Sequence, residues 1–290
     1  NMDKIELKAY GKINIGLDVI RKREDGYHDL DMIMQTVGVY DDVIISRKDG
    51  TQTYEIEVST DADVLPNDKG NLAFMAAKVL MEAYDIKAKV KIHINKRIPI
   101  AGGMAGGSAD CAAVLRGVNQ LFQLGLTDEQ LQEYGVKLGA DVPYCIVGGT
   151  KRAQGIGEIL TDLPTPPKCY VIIAKPDAFV STKFVYSHIR PAQIENHPDI
   201  DGIIESIKAG DLYGMCEKIA NVMEDVTIPE YPIIQKVKDI LKSNGAVNAL
   251  MSGSGPTVFG IYDDEEKAKQ SMDALSGKEF VSQLYLTKFI

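Results

Sequence analysis

The first half of the chain is written largely in a two-residue rhythm. Apolar and polar residues alternate over residues 4–20 (KIELKAYGKINIGLDVI), 41–48 (DDVIISRK), 54–59 (YEIEVS) and 88–94 (AKVKIHI). A period of two turns one face of a strand toward a core and the other toward solvent, so each stretch predicts a half-buried strand. A helical rhythm interrupts it. Over residues 71–84 apolar side chains fall three and four apart, which predicts a helix capped by Asn71. From 109 to 122, apolar residues at 109, 112, 113, 115, 118, 121 and 122 share one helical face. Thr127 and Gln130 have the spacing of a capping box and predict another helix start. The run GADVP then predicts its end, because Pro143 cannot continue a helix.

The second half opens on LPTPPK, residues 163–168, with three prolines in six positions. This linker predicts two domains, 1–163 and 164–290, in keeping with a 290-residue chain. Beyond it, CYVIIAKP reads as a buried strand, 213–223 as a helix, and PIIQKVKDILKSNG as a helix stopped by Gly245. AVNALMS and PTVFGIY read as strands flanking a glycine–serine turn, EEKAKQSMDAL as a helix and VSQLYLTKF as a closing strand. The order is β-α-β-β-α-β, the ferredoxin-like plan, and the fold class is α+β.

Composition narrows the functional classes. A 45% hydrophobic and 25% charged chain matches a globular protein with a full core. A net charge of -9 argues against nucleic acid and anionic membrane surfaces as partners, but not against a small anion in a local basic pocket. Cys111, Cys145, Cys169 and Cys216 form no C-x-x-C pair and read as free thiols, which suits a reducing cytoplasm. No apolar run is long enough for a bilayer, and no signal-peptide pattern opens the chain. Asn1 ahead of Met2 reads as an added residue. Oligomeric state, monomer or homodimer, is not written in the pattern.

The sharpest chemical feature is PIAGGMAGGSA, between the strand at 88–94 and the helix at 109–122. Gly102 and Gly107 have Walker spacing, but Ser108 stands where a Walker loop has lysine, so the P-loop NTPase pattern fails. A glycine loop running into a helix still offers unpaired amides and a positive helix end to a phosphate. Ser108 can add a hydroxyl to a phosphate or a magnesium ion. The plainer alternative is a flexible strand-to-helix connection. Positive charge would come from elsewhere. Lys12 and Asn14 share a face of the first strand, as site residues or as a solvated face. Lys96 and Arg97 precede the loop, within reach of a nucleotide or as surface charge. Asp141 is a candidate general base or a turn aspartate. Tyr27 and His28 could stack on and hydrogen-bond a base, or follow a turn. MSGSGPTVFG could be only a tight hairpin.

Three segments in order, KAYGKINIGL, the loop from Pro99 to Ser108 and MSGSGPTVFG, resemble the GHMP kinase family across nearly the whole chain. The resemblance implies a ribosomal protein S5-like N-terminal domain for ATP binding and catalysis and a ferredoxin-like C-terminal domain, with the active site in the cleft between them. It implies ATP as co-substrate and Mg2+. Two further segments, REDGYHDLDMIMQTVGVYD and LGADVPYCIVGGTKRAQGIGE, resemble family members that phosphorylate the 2-hydroxyl of a cytidine diphosphate-linked methylerythritol in non-mevalonate isoprenoid synthesis. Lys12 and Asp141 then match the catalytic lysine and aspartate. Asn14, Tyr27, His28, Thr182 and Tyr186 match substrate positions, with Tyr27 and Tyr186 on the two faces of the base. Lys96, Pro99, Ile100, Ala101, Gly102, Gly103, Met104, Ala105, Gly106, Gly107, Ser108 and Ala109 match the ATP-binding segment. Three residues depart from the family pattern: Met104 and Ala105 replace the more usual Leu-Gly, and Ala109 replaces a serine. Rival readings are a GHMP kinase for another small alcohol, such as mevalonate or homoserine, and a non-catalytic ligand sensor on the same scaffold. A structural protein with glycine-rich turns is the blandest.

Overall fold

The computed structural model describes residues 3–62 and 71–290; Asn1 and Met2 lie outside them. The chain forms two compact units that interleave along the sequence. The first takes the chain up to Gly11, then Val39–Ile100 and Ala105–Gly148; the second takes Lys12–Gly38, Ala101–Met104 and Gly149–Ile290. Two long strands, β1 (Lys4–Lys22) and β2 (His28–Asp49), contribute to both.

In the first unit, β2 pairs antiparallel with β4 (Ala88–Asn95) over residues 42–49, and β3 (Glu55–Thr60) runs parallel to β4. Between β3 and β4 comes α1 (Leu72–Ala83), whose cap is Asn71 as expected, its side chain accepting from the Ala73 amide at 2.8 Å. Helix α2 (Gly106–Leu121) packs on α1 and buries Ala109, Ala112, Ala113, Leu115 and Val118. Gly117 is required here, since a Cβ would collide with Ile45 and Leu7. Helix α3 (Asp128–Val136) opens with both bonds of the Thr127–Gln130 capping box. Pro143, however, does not stop it. α3 ends before Lys137, and Pro143 lies in the first turn of a new helix, α4 (Val142–Val147), where its missing amide costs no bond.

In the second unit, β2 pairs antiparallel with β5 (Thr150–Gly155) over residues 30–35, and β5 pairs with β6 (Ile159–Asp162). Residues 163–169, the proline-rich stretch, have no regular structure. Next come β7 (Tyr170–Pro176), α5 (Thr182–His188), α6 (Ile200–Lys208) and α7 (Leu212–Lys218). The helix expected over 213–223 stops at Lys218, because Ala220–Asn221 instead form a short strand, β8, parallel to β1 at Gly16 and Leu17. Then follow α8 (Glu224–Glu230), α9 (Ile233–Ser243), β9 (Asn248–Met251), β10 (Val258–Tyr262), α10 (Glu265–Leu275) and β11 (Val281–Thr287). The four strands β11-β7-β10-β9 form an antiparallel sheet in that order. With α9 and α10 this is the ferredoxin-like arrangement read from the pattern. Its core is Val171, Ile173, Phe259, Ile261, Val237 and Leu241. Among the described residues no helix is long and apolar enough to cross a membrane.

Candidate active site

The glycine loop carries alternating left-handed residues. Ala101 (φ 52°), Gly103 (φ 88°) and Ala105 (φ 56°) take positive φ, and α2 begins directly after Ala105. No side chain caps α2. The first-turn amides of a helix have no partner within it, and its N-terminus carries a partial positive charge. Gly107 is exposed, and Ser108 is half-buried in this first turn. The start of α2 therefore keeps amides that no side-chain cap takes up, beside a partial positive charge.

In the second unit the first part of the loop meets Lys12. The alternation of β1 brings Lys12 and Asn14 together, as read from the sequence: Lys12 Nζ donates to Asn14 Oδ1 at 2.6 Å and to the Gly103 carbonyl at 2.9 Å. Both residues are buried, at 5% and 1% exposure, so the solvated-face alternative is excluded. The glycine–serine turn between β9 and β10 is more than a hairpin. Ser252 Oγ donates to the Gly103 carbonyl at 3.0 Å, the Thr257 amide to the Gly102 carbonyl at 3.1 Å, and the Gly253 amide to Asn14 Oδ1 at 3.0 Å. Local pattern could not show this docking; the recurrence of the turn in the family resemblance was its one signal.

Thr182, at the start of α5, contacts the same turn through Ser254 Oγ at 2.8 Å. Tyr186, one turn further, stacks on the His28 ring at 5.2 Å between centroids and 30° between planes. His28 is buried, and burial, aided by the Lys22 charge, lowers its pKa below the ordinary histidine value. A neutral imidazole has one hydrogen-bond donor and one acceptor. Tyr27 is 57% exposed. The structure thus brings Thr182, Tyr186 and His28 into one contact series and leaves the Tyr27 ring open to solvent.

In the first unit, Lys96 is not surface charge. Its amine lies between Asp41 Oδ2 at 2.5 Å and Asp110 Oδ2 at 2.9 Å, and all three side chains are buried. Asp41 Oδ1 also accepts the amides of Arg97 and Ile98 at 2.7 and 2.9 Å. The trio therefore ties the chain leading into the glycine loop to the helix leading out. Burial pulls the Lys96 amine down, but the two carboxylates outweigh it and raise its pKa; burial pushes Asp110 well above the carboxylate range. Arg97 is exposed and pairs with Asp42 at 2.8 Å. The sequence patterns did not single out Asp41 or Asp110.

Asp141, also in the first unit, holds the N-cap position of α4 but makes no capping bond with its side chain. It begins a helix rather than ending one. Its half-buried carboxylate is thus not consumed by the local turn.

The comparisons with known proteins follow the same segments. Residues 71–149 match the family model for the GHMP kinases N terminal domain, and residues 197–281 match that for the GHMP kinases C terminal. The 4-diphosphocytidyl-2-C-methyl-D-erythritol kinase of Lachnoclostridium phytofermentans is 47% identical over 288 residues, covering 99% of this chain and 98% of that protein. This chain belongs to the GHMP kinase family. A GHMP kinase of the same name from Lachnospira eligens is 47% identical over 99% of each chain. A crystal structure of 4-(cytidine 5'-diphospho)-2C-methyl-D-erythritol kinase superposes with a TM-score of 0.81 at 28% identity, covering 98% of this chain and 99% of that one. The chain has the two-domain GHMP kinase fold and is a kinase that uses ATP as co-substrate.

Proposed function

We propose that this GHMP kinase transfers the γ-phosphoryl group of ATP to the 2-hydroxyl of 4-diphosphocytidyl-2-C-methyl-D-erythritol, in the non-mevalonate route to isoprenoid precursors. The observation that carries the choice of alcohol is the 47% identity, over 99% of the chain, to kinases named for it. The His28–Tyr186 ring pair supports it locally, because a pyrimidine substrate calls for stacking surface and a neutral hydrogen-bonding edge.

Phosphoryl transfer needs positioning and charge stabilisation rather than covalent help from the protein. In this reading Asp141 accepts the proton of the 2-hydroxyl and Lys12 stabilises charge on the transferred group. The amides of Gly106, Gly107 and Ser108, with the rest of residues 99–109, take the phosphates. Lys96 serves ATP binding by anchoring that loop. Asn14, Thr182, Tyr27, His28 and Tyr186 hold the substrate. Among the described residues no three His, Cys, Asp or Glu side chains gather to hold a metal. That fits Mg2+ brought in on the triphosphate, which needs few protein ligands. Ser108 is its candidate protein contact, and the ion's contribution is to neutralise phosphate charge.

The division at 163/164 is retained in this reading, since the two family-model matches fall on either side of it. So is a cytoplasmic setting, which the four free cysteines favour. A panel of alcohols assayed for kcat/KM tests the substrate. The cytidine-bearing alcohol is expected to exceed mevalonate and homoserine by about 10⁴, the scale on which a base-reading site rejects a partner lacking those groups. Equal rates on mevalonate or homoserine would refute the assignment.

A further inference from the structure

Asn221 belongs to none of the three family segments, yet its side chain makes three hydrogen bonds beside the turn that contacts Asn14. It sits on β8, is 5% exposed, and uses all of its polar atoms. Its Nδ2 donates to the Met251 carbonyl at 2.9 Å and to the Gly253 carbonyl at 2.8 Å, while its Oδ1 accepts the Met223 amide at 2.9 Å. Resting on the reading of Lys12 as the catalytic lysine, we propose that Asn221 is a positioning residue for Lys12, acting through Gly253 and Asn14.

The physical case turns on Gly253. Its φ is +57°, and a Cβ there would lie 2.9 Å from the Gly103 carbonyl oxygen, so only glycine fits. Glycine holds its own dihedrals weakly, so neighbouring groups must fix the two peptide planes that flank it. Asn221 fixes the plane carrying the Gly253 carbonyl. The other plane carries the Gly253 amide, which donates to Asn14 Oδ1, the same atom that accepts Lys12 Nζ. The second plane is held at its other edge by the Ser252 carbonyl, which accepts the Gly255 amide at 3.0 Å, so release of the first plane tilts the second about that bond. The Gly253 donation to Asn14 Oδ1 is then weakened and the reference position of the lysine amine shifts with it. Misplacement of a reacting group by about 1 Å can cost about 100-fold in rate.

The test is a double-mutant cycle. Asn221→Ala is expected to lower kcat about 10-fold or more, with KM for ATP changed less than about twofold. In an Asn14→Ala background the same change is expected to cost less than about twofold, because its route is already cut. Thr227→Val is the control. It removes a neighbouring bond to the same turn, Thr227 Oγ1 to the Ser254 carbonyl at 3.1 Å, and its effect is expected to multiply with that of Asn14→Ala. Asn221→Asp, which keeps the acceptor for Met223, serves the same cycle if the alanine variant does not fold. Hydrogen exchange of the Gly253 amide gives a readout without turnover: slow in the wild type, fast in either Asn221 variant. Wild-type kcat in the Asn221 variants, or an equal loss in both backgrounds, overturns this inference while the kinase reading stands. A wild-type chain that transfers no phosphoryl group overturns both.

Discussion

Two glycine-rich segments of the chain, 102–107 and 251–257, do different work. The second turn is closed. Asn221, Thr227 and the Gly102 carbonyl engage its backbone, and Cβ atoms at Gly253 and Gly255 would meet the Gly103 carbonyl at 2.9 Å and Met251 Sδ at 2.7 Å. The first turn is closed at one end and open at the other. A Cβ at Gly103 would collide with the Ser252 carbonyl, whereas at Gly107 it would meet only Leu72 Cδ1 at 3.8 Å. One glycine composition thus serves packing in one place and access in another. The residue that decides is the neighbour, which local sequence does not name.

Three substitutions break or sharpen this contrast. Gly103→Ala places a methyl against backbone at a φ of +88° and is expected to destabilise the fold by about 3 kcal/mol, read from urea melts. A melt unchanged from wild type would mean that the two turns are not docked. Gly107→Ala should leave stability level or raise it by about 0.5 kcal/mol, since alanine favours a helix. A methyl over the open amides should nevertheless weaken ATP binding about 10-fold, a loss of about 1.4 kcal/mol by calorimetric titration. Unchanged affinity would remove Gly107 from the phosphate site. Ala105→Gly should have the smallest effect. It relieves a left-handed alanine at φ 56° and is expected to stabilise the chain by about 1 kcal/mol, seen as a raised Tm. A lowered Tm would show that Ala105 is not strained there.

The contrast also explains how far the sequence could be read. Signals carried within a few residues held: the Asn71 cap, the Thr127–Gln130 box, the Lys12–Asn14 face and the ferredoxin-like order. Signals that depend on distant partners did not. Residues 28–40 continue β2, but Met32, Ile33 and Met34 are buried in succession, so the two-residue rhythm vanishes where both faces are covered. β8 is two residues long and exists because β1 pairs with it. Pro143 reads equally as a stop or as the first turn of a helix, and only the break after α3 decides. In the site, the place of the glycine loop was legible but its end was not. The apolar face predicted a helix from 109, whereas α2 starts at Gly106, so Gly106, Gly107 and Ser108 are its first turn. The buried Lys96–Asp41–Asp110 trio was not legible, because its members are 55 and 14 residues apart.

The most direct test of the central claim follows a labelled γ-phosphate from ATP to 4-diphosphocytidyl-2-C-methyl-D-erythritol, in the presence of Mg2+, with the wild type and Asp141→Asn side by side. The expected result is transfer by the wild type, and a rate about 10²- to 10⁴-fold lower in the variant with ATP binding retained. No transfer by well-folded wild type, or near-normal transfer by Asp141→Asn, would contradict the account.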